Sequence, residues 1–170
     1  MKTKICVIGE CMLELVNIKN NIYNQSIAGD TLNFASYLDK KIFNTYYLTA
    51  IGTSEISKRS LNFLKKQNIN TNLVTKIKSH EIGLYLIKNN TLGEKLFYYW
   101  RDNSASKFFF NNKDIRIILK PLHQFQYIYF TGITLSLFES KNFINFINFL
   151  TILKNKKIKI IFDLNIRIKR

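Results

Sequence analysis

The sequence is poor in several residue types that mark particular classes of protein. It has two cysteines, Cys6 and Cys11, and two histidines in 170 residues. Neither cysteine has a second Cys or His pair at zinc-ligand spacing, which argues against a metal site and favours two free buried thiols. One proline and six glycines, without a repeat or a biased tail, also argue against low-complexity and repeat architectures.

Long apolar runs are missing as well. The longest, at 128–138, falls well short of the roughly 18 residues that span a bilayer. Glu10 interrupts the first apolar segment too early for the core of a signal peptide. The sequence therefore predicts a cytoplasmic protein without a membrane partner. A hydrophobic fraction of 46% in 170 residues is enough for the core of one folded domain.

Acidic residues are scarce, with 11 against 26 basic ones, and the formal charge is +15. A basic domain can bind nucleic acid by releasing the counterions of the phosphates. Here the lysines and arginines are scattered over loops and element ends, and the chain is rich in Asn, Ile, Phe and Tyr, as AT-rich coding DNA produces. We interpret the charge as compositional drift and expect no specific nucleic-acid partner; a basic nucleic-acid binder is the alternative.

Apolar runs and helical periodicities alternate along the chain. Strands are predicted at 4–9, 12–16, 46–51, 127–132 and 158–163, and helices at 31–38, 54–66 and 139–153, with Ser54 as an N-cap. This alternation predicts an α/β fold, in which helices cover both faces of a mostly parallel sheet.

Two predicted strands differ from the others, because polar and aromatic residues alternate along them. They cover 83–88 and 95–101 and are joined by a hairpin loop, which places them on a small peripheral sheet with one wet face. Tyr99 and Arg101 share one face of the second strand. An arginine with five N–H donors beside a phenol suits a small polyhydroxylated acid. Tyr85 faces them across the hairpin, either to bind ligand or only as a cross-strand aromatic pair.

Two further segments carry polar side chains where a ligand could approach. Gly29 and Asp30 precede a helix that also contains Asn33, and the alternative is a turn glycine followed by an N-cap. The other segment closes the last buried strand. Its polar residues, Asp163, Asn165 and Arg167, alternate at the carboxyl edge, where open α/β sheets bind ligands; ordinary strand-end residues are the alternative.

These segments, together with Ile8-Gly9-Glu10-Cys11-Met12, resemble the amino-terminal half of PfkB-type, ribokinase-like carbohydrate kinases, most closely the 2-keto-3-deoxygluconate kinases. The resemblance implies a three-layer α/β/α sandwich with a small β lid, built from strands 12–16, 83–88 and 95–101. It implies ATP and Mg²⁺ as cofactors and a sugar acid as substrate. The implied substrate-binding residues are Gly29, Asp30, Asn33, Tyr85, Tyr99, Arg101, Asp163, Asn165 and Arg167.

The sequence departs from the family pattern in three places. Thr31 replaces a small residue, and Ile168 replaces the proline that usually follows the arginine. The family's Gly-Ala-Gly-Asp motif, whose aspartate is the catalytic base, belongs to its second half and is absent from these 170 residues. We therefore expect an incomplete ribokinase-like domain over 1–170, without a catalytic residue and with few nucleotide-binding residues.

Three other interpretations remain open from the sequence. Within the family, a fructokinase or ribokinase is disfavoured by the Tyr99 and Arg101 pair, which predicts an acid substrate. A non-catalytic remnant could bind a sugar acid weakly or not at all. Finally, an uncovered sheet edge favours pairing, either as a homo-oligomer through the lid strands or with a complementary carboxyl-terminal fragment.

Overall fold

The computed structural model describes residues 2–109, 120–138 and 140–165, without the side chains of residues 140 and 141. In these ranges, strands and helices alternate as the sequence predicts, and two short 3₁₀ helices occur at Ala105–Phe108 and Lys120–Gln124. The strands are β1 (Thr3–Ile8), β2 (Met12–Lys19), β3 (Ile22–Ala28), β4 (Phe43–Ile51), β5 (Val74–Lys76), β6 (Gly83–Asn89), β7 (Lys95–Trp100), β8 (Tyr127–Thr131) and β9 (Lys159–Asp163). The helices are α1 (Asp30–Tyr37), α2 (Glu55–Lys66), α3 (Gly132–Leu135) and α4 (Ser140–Asn155).

The larger sheet has five strands in the order β5-β4-β1-β8-β9, and all of its pairings are parallel. Its central strand, β1, is buried on both faces because its side chains alternate between two apolar clusters. Cys6 and Ile8 point into one cluster, and Ile5 and Val7 point into the other. A continuous apolar run is the expected sequence of such a strand.

Helices cover both faces of this sheet. On one side, Leu32 of α1 and Leu64 of α2 join the cluster of Ile5 and Val7. On the other side, Phe146, Phe149 and Leu153 of α4 join the cluster that contains Cys6 and Ile8. The prediction of a three-layer α/β/α sandwich is therefore confirmed.

Local details of the sequence prediction hold as well. Ser54 is the N-cap of α2, and its side chain accepts a hydrogen bond from the backbone N–H of Ser57. Cys6 and Cys11 are both free and buried.

None of the helices in the described ranges combines the length and hydropathy needed to cross a bilayer.

A second sheet has four strands in the order β3-β2-β6-β7, and we call it the lid sheet. Strands β6 and β7 form the predicted hairpin, and β2 pairs with β6 in parallel. The three strands expected in the lid all belong to this sheet, and β3, which was not predicted, adds a fourth antiparallel to β2. Its residues Ile22–Ala28 are mostly exposed and polar, so they lack the apolar alternation that identifies a strand in sequence.

Candidate functional site

A cavity of about 610 Å³ lies between the lid sheet and the carboxyl-terminal ends of β8 and β9. Three parts of the fold contribute to its walls: the lid strands, the start of α1, and the turns that follow β8 and β9. Its lining residues are Met12, Gly29, Asp30, Asn33, Tyr85, Phe97, Tyr99, Arg101, Gly132, Ile133, Ser136, Leu164 and Asn165. The carboxyl edge of a parallel sheet is where α/β proteins usually bind ligands.

The fold brings most of the residues singled out in the sequence to this one cavity, although they come from four separate segments. Arg167 lies outside the described residues, and Asp163 does not line the cavity. The others all line it: Gly29, Asp30, Asn33, Tyr85, Tyr99, Arg101 and Asn165.

The Asp30 carboxylate is held in place by side chains from the end of the sheet. Its Oδ2 atom accepts hydrogen bonds from Thr131 Oγ1 at 2.6 Å and from Asn165 Nδ2 at 3.1 Å. The alternative of an N-cap role for Asp30 does not hold, because Gly29 is the N-cap of α1 and no side chain caps it. Both bonds go to one oxygen, so the carboxylate retains acceptor capacity toward the cavity.

Gly29 permits a close approach between two backbone segments at the floor of the site. Its φ is 155°, and a Cβ atom there would lie 2.4 Å from the backbone oxygen of Glu10. Any other residue would push α1 away from the end of β1, which would displace Asp30. The glycine is therefore a structural requirement of the site.

Aromatic side chains form the wall contributed by the lid sheet. Tyr85 and Tyr99 are directly opposite in the β6–β7 ladder, with ring centroids 5.8 Å apart, and Phe97 stacks on Tyr99 at 6.3 Å. The Tyr85 hydroxyl donates to Glu14 Oε2, while Glu14 Oε1 accepts from Ser26 Oγ at 2.6 Å. The aromatic pair thus stabilises the lid sheet and borders the cavity at the same time.

Arg101 brings a positive charge to the cavity at the end of β7. Its Nη2 atom lies 2.5 Å from Oε2 of Glu10, which follows β1 and is 3% exposed.

Burial, and next the Glu10 carboxylate, raise the pKa of the neighbouring Cys11 thiol to about 12, so this cysteine is a neutral packing residue.

Asp163 and Asn165 do not alternate along one strand as expected. Strand β9 ends at Asp163, and Asn165 has a positive φ of 36°. Asp163 Oδ1 accepts from the Asn165 backbone N–H at 3.1 Å, and Oδ2 accepts from the Tyr129 hydroxyl at 3.2 Å. Burial, together with this carboxylate, raises the pKa of Tyr129 to about 12. This turn, rather than strand geometry, directs Asn165 to the cavity.

Several lining residues were missed in the sequence. Phe97 could have been found, because it shares the face of Tyr99 and Arg101 at a spacing of two. Met12 lies at the start of the predicted strand 12–16. The rest lie in and just after the short helix α3, which follows β8, and in the turn after β9; they are Gly132, Ile133, Ser136 and Leu164. None of them forms a motif that marks a binding site in the sequence.

Comparison with known proteins identifies the family. The family "pfkB family carbohydrate kinase" matches residues 2–168. The chain belongs to this family. It is 37% identical to a 2-dehydro-3-deoxygluconokinase of Haemophilus influenzae, over 96% of this chain and 54% of that protein. It is 34% identical to the enzyme of the same name from Dickeya dadantii, over 98% of this chain and 55% of that protein. The chain thus spans about half the length of the relatives it matches.

Solved structures of pfkB-type kinases share the fold. A 2-dehydro-3-deoxygluconokinase from Thermotoga maritima matches with a TM-score of 0.81 and 21% identity, over 97% of this chain and 52% of that one. A fructokinase from Xylella fastidiosa matches with a TM-score of 0.79 and 14% identity, over 98% and 52%. The two matches are similar in quality, so the fold by itself does not select one sugar.

Proposed function

We propose that residues 1–170 form the sugar-acid-binding part of a kinase that transfers a phosphoryl group from ATP to 2-keto-3-deoxygluconate. Family membership and the names of the relatives support the reaction class. The observation that carries the choice of an acid is the position of Arg101 on the wall of the cavity that Asp30, Asn33 and Asn165 also line.

Each end of such a substrate has a complementary partner in the cavity. Arg101 supplies several N–H donors in a planar fork, which matches the geometry of a carboxylate. Asp30, Asn33 and Asn165 supply acceptors and donors for hydroxyl groups. The tyrosines of the lid sheet would cover the ligand and exclude water. These roles bind and orient the sugar acid, and positioning is the main requirement of phosphoryl transfer.

ATP and Mg²⁺ would take part in the reaction as the family implies. Among the described residues, however, no group of three or more His, Cys, Asp or Glu side chains could hold a metal ion. No Gly-x-Gly-Asp motif occurs in the sequence. We therefore assign no metal ligand among the described residues and no catalytic base in residues 1–170.

The proposal is tested by calorimetric titration of residues 1–170 with 2-keto-3-deoxygluconate, its methyl ester and fructose. We expect the acid to bind more tightly than the ester or fructose, and Arg101→Met to weaken acid binding by about tenfold or more. The matched control is Arg59→Met, because Arg59 hydrogen-bonds Gln25 on the surface, away from the cavity. ATP should produce no phosphorylated product with residues 1–170 alone.

Two results would contradict the proposal. Tighter binding of fructose than of the acid would favour a fructokinase-type substrate instead. Absence of binding by all three ligands would favour a remnant without a sugar site.

A further inference from the structure

A buried carboxylate supports the cavity arginine from behind. Glu10 lies in the turn between β1 and β2, and its side chain is 3% exposed, whereas Arg101 at the end of β7 is 20% exposed. Arg101 lines the cavity, and Glu10 is not among the lining residues. The Nη2–Oε2 distance of 2.5 Å therefore joins a residue of the cavity wall to one in the layer beneath it.

Each of the two residues compensates the charge of the other. A carboxylate removed from water is costly unless an opposite charge compensates it. Among the described residues, no donor makes a hydrogen bond of good geometry to either Glu10 oxygen, and Arg101 Nη2 likewise has no such acceptor. The contact is thus an ion pair rather than a directed hydrogen bond. It fixes the position of the guanidinium. Nη2 is buried at this contact, so a second acceptor in the cavity would meet the other N–H groups of Arg101.

The packing around the pair is fitted to it. Gly83 starts β6, and a Cβ atom at this position would lie 3.0 Å from Glu10 Oε1 and 3.0 Å from Arg101 Cβ. A side chain at position 83 would therefore crowd the Glu10 carboxylate and the stem of Arg101, and one of them would have to shift. The turn after β1, the start of β6 and the end of β7 meet here around one ion pair.

We propose that Glu10 is a positioning residue, which holds the Arg101 guanidinium against the cavity wall in the orientation that a ligand carboxylate requires. The choice of a carboxylate as ligand rests on the proposed function; the positioning does not. A guanidinium that is already ordered loses little conformational freedom when the ligand binds. Glu10 would therefore contribute to selection of the acid without touching it.

The positioning is first tested without ligand. In ¹⁵N-labelled protein, the side-chain Nε–H signal of Arg101 is assigned by its loss in Arg101→Met. We expect slow exchange of this proton with solvent, and about tenfold faster exchange in Glu10→Gln, because the guanidinium is released. Glu55→Gln is the matched control, since Glu55 is 79% exposed. Equal exchange rates in wild type and Glu10→Gln would overturn the proposal.

Ligand binding is the second test. Glu10→Gln should weaken binding of 2-keto-3-deoxygluconate by about tenfold and leave binding of its methyl ester unchanged. In an Arg101→Met background, the same substitution should have no further effect. An equal loss for acid and ester would indicate general distortion and overturn the proposal. Failure of the wild type to bind the acid would contradict the proposed function alone, because the exchange experiment needs no ligand.

A third variant guards against misfolding of Glu10→Gln. Gly83→Ala keeps both charges but places a methyl group against Glu10 Oε1 and the Cβ atom of Arg101. We expect it to speed the exchange of the Arg101 Nε proton and to weaken binding of the acid selectively. Normal exchange and normal acid binding in Gly83→Ala would contradict the positioning role.

Discussion

Asn165 donates a hydrogen bond from Nδ2 to Oδ2 of Asp30 at 3.1 Å, across 135 positions of the chain. The contact joins the turn after β9 to the start of α1. Thr131, at the end of β8, donates to the same oxygen at 2.6 Å. One carboxylate oxygen thus ties three segments together, and the second oxygen remains for a ligand.

Replacement of Asp30 tests this division of labour. In Asp30→Asn, the amide oxygen can still accept from Thr131 and Asn165, but the group facing the cavity becomes an uncharged donor. We expect the melting temperature to change little and the affinity for 2-keto-3-deoxygluconate to fall by about tenfold. Calorimetry on Asp30→Asn and on the exposed control Asp39→Asn measures both. Unchanged affinity in Asp30→Asn would remove this residue from the site.

Tyr85→Phe tests the internal support of the lid sheet. The substitution removes the hydroxyl that donates to Glu14 and leaves that carboxylate one donor short. We expect the free energy of unfolding in urea to fall by about 1 kcal/mol. Tyr99→Phe is the control, because Tyr99 is 47% exposed and should change stability little. Equal stability of Tyr85→Phe and wild type would mean that water replaces the bond.

Glu81 gives the fold a pH-dependent contact between the start of α2 and the segment that precedes β6. Its carboxylate accepts from Ser54 Oγ at 2.7 Å, from Ser57 Oγ at 2.6 Å and from the backbone N–H groups of Thr53 and Ser54. Burial raises the pKa of Glu81, but these hydrogen bonds outweigh burial and lower it below its ordinary value. The ionised carboxylate is therefore the form that stabilises the fold.

We expect Glu81→Gln to lower the melting temperature at pH 7. The free energy of unfolding should fall by only about 1 kcal/mol, because the site is largely exposed. A carboxyl whose pKa is lower in the folded than in the unfolded state stabilises the fold at pH values above its unfolded pKa. This stabilisation is lost as the pH falls through the folded pKa. The difference in melting temperature between variant and wild type should thus shrink below about pH 4.3, the ordinary pKa of glutamate. Melting curves from pH 3 to pH 7, with Glu55→Gln as control, measure it. A difference that is constant over this range would contradict the interpretation.

The edge strand β9 predicts self-association. It pairs only with β8 in the described part of the chain, and Ile161 and Phe162 are 40% and 43% exposed. An unpaired edge with apolar side chains is a site for pairing with another chain. We expect sedimentation velocity to show oligomers that Ile161→Lys reduces and that Tyr37→Lys, at an exposed control position, does not. A monomeric wild type would contradict this.

Elements with a strong local pattern could be predicted from the sequence alone. The apolar run predicted β1, and Ser54 predicted the start of α2, from residues that are close together in sequence. The alternation that puts Tyr99 and Arg101 on one face could be predicted in the same way. Asp30 and Asn165 could be named as candidates because one follows a glycine before a predicted helix and the other follows an apolar run. That run was expected to be a buried strand, but β9 is mostly exposed in the described part of the chain. The weakly patterned β3 was missed, because exposed polar strands owe their structure to pairing with a neighbour rather than to their own residues.

How these residues combine depends on the folded arrangement of distant segments. The sequence does not show the role of Glu10 as a partner of Arg101, since the two residues are far apart in the chain and meet beside Gly83 only in the folded protein. Asp163 was expected in the site, but it does not line the cavity. Its carboxylate instead accepts hydrogen bonds from the Tyr129 hydroxyl and from the backbone N–H of Asn165. Ion pairs and turns of this kind depend on distances between remote segments, which local periodicity does not encode. The sequence therefore determined which chemical groups were available, and the fold decided which of them meet.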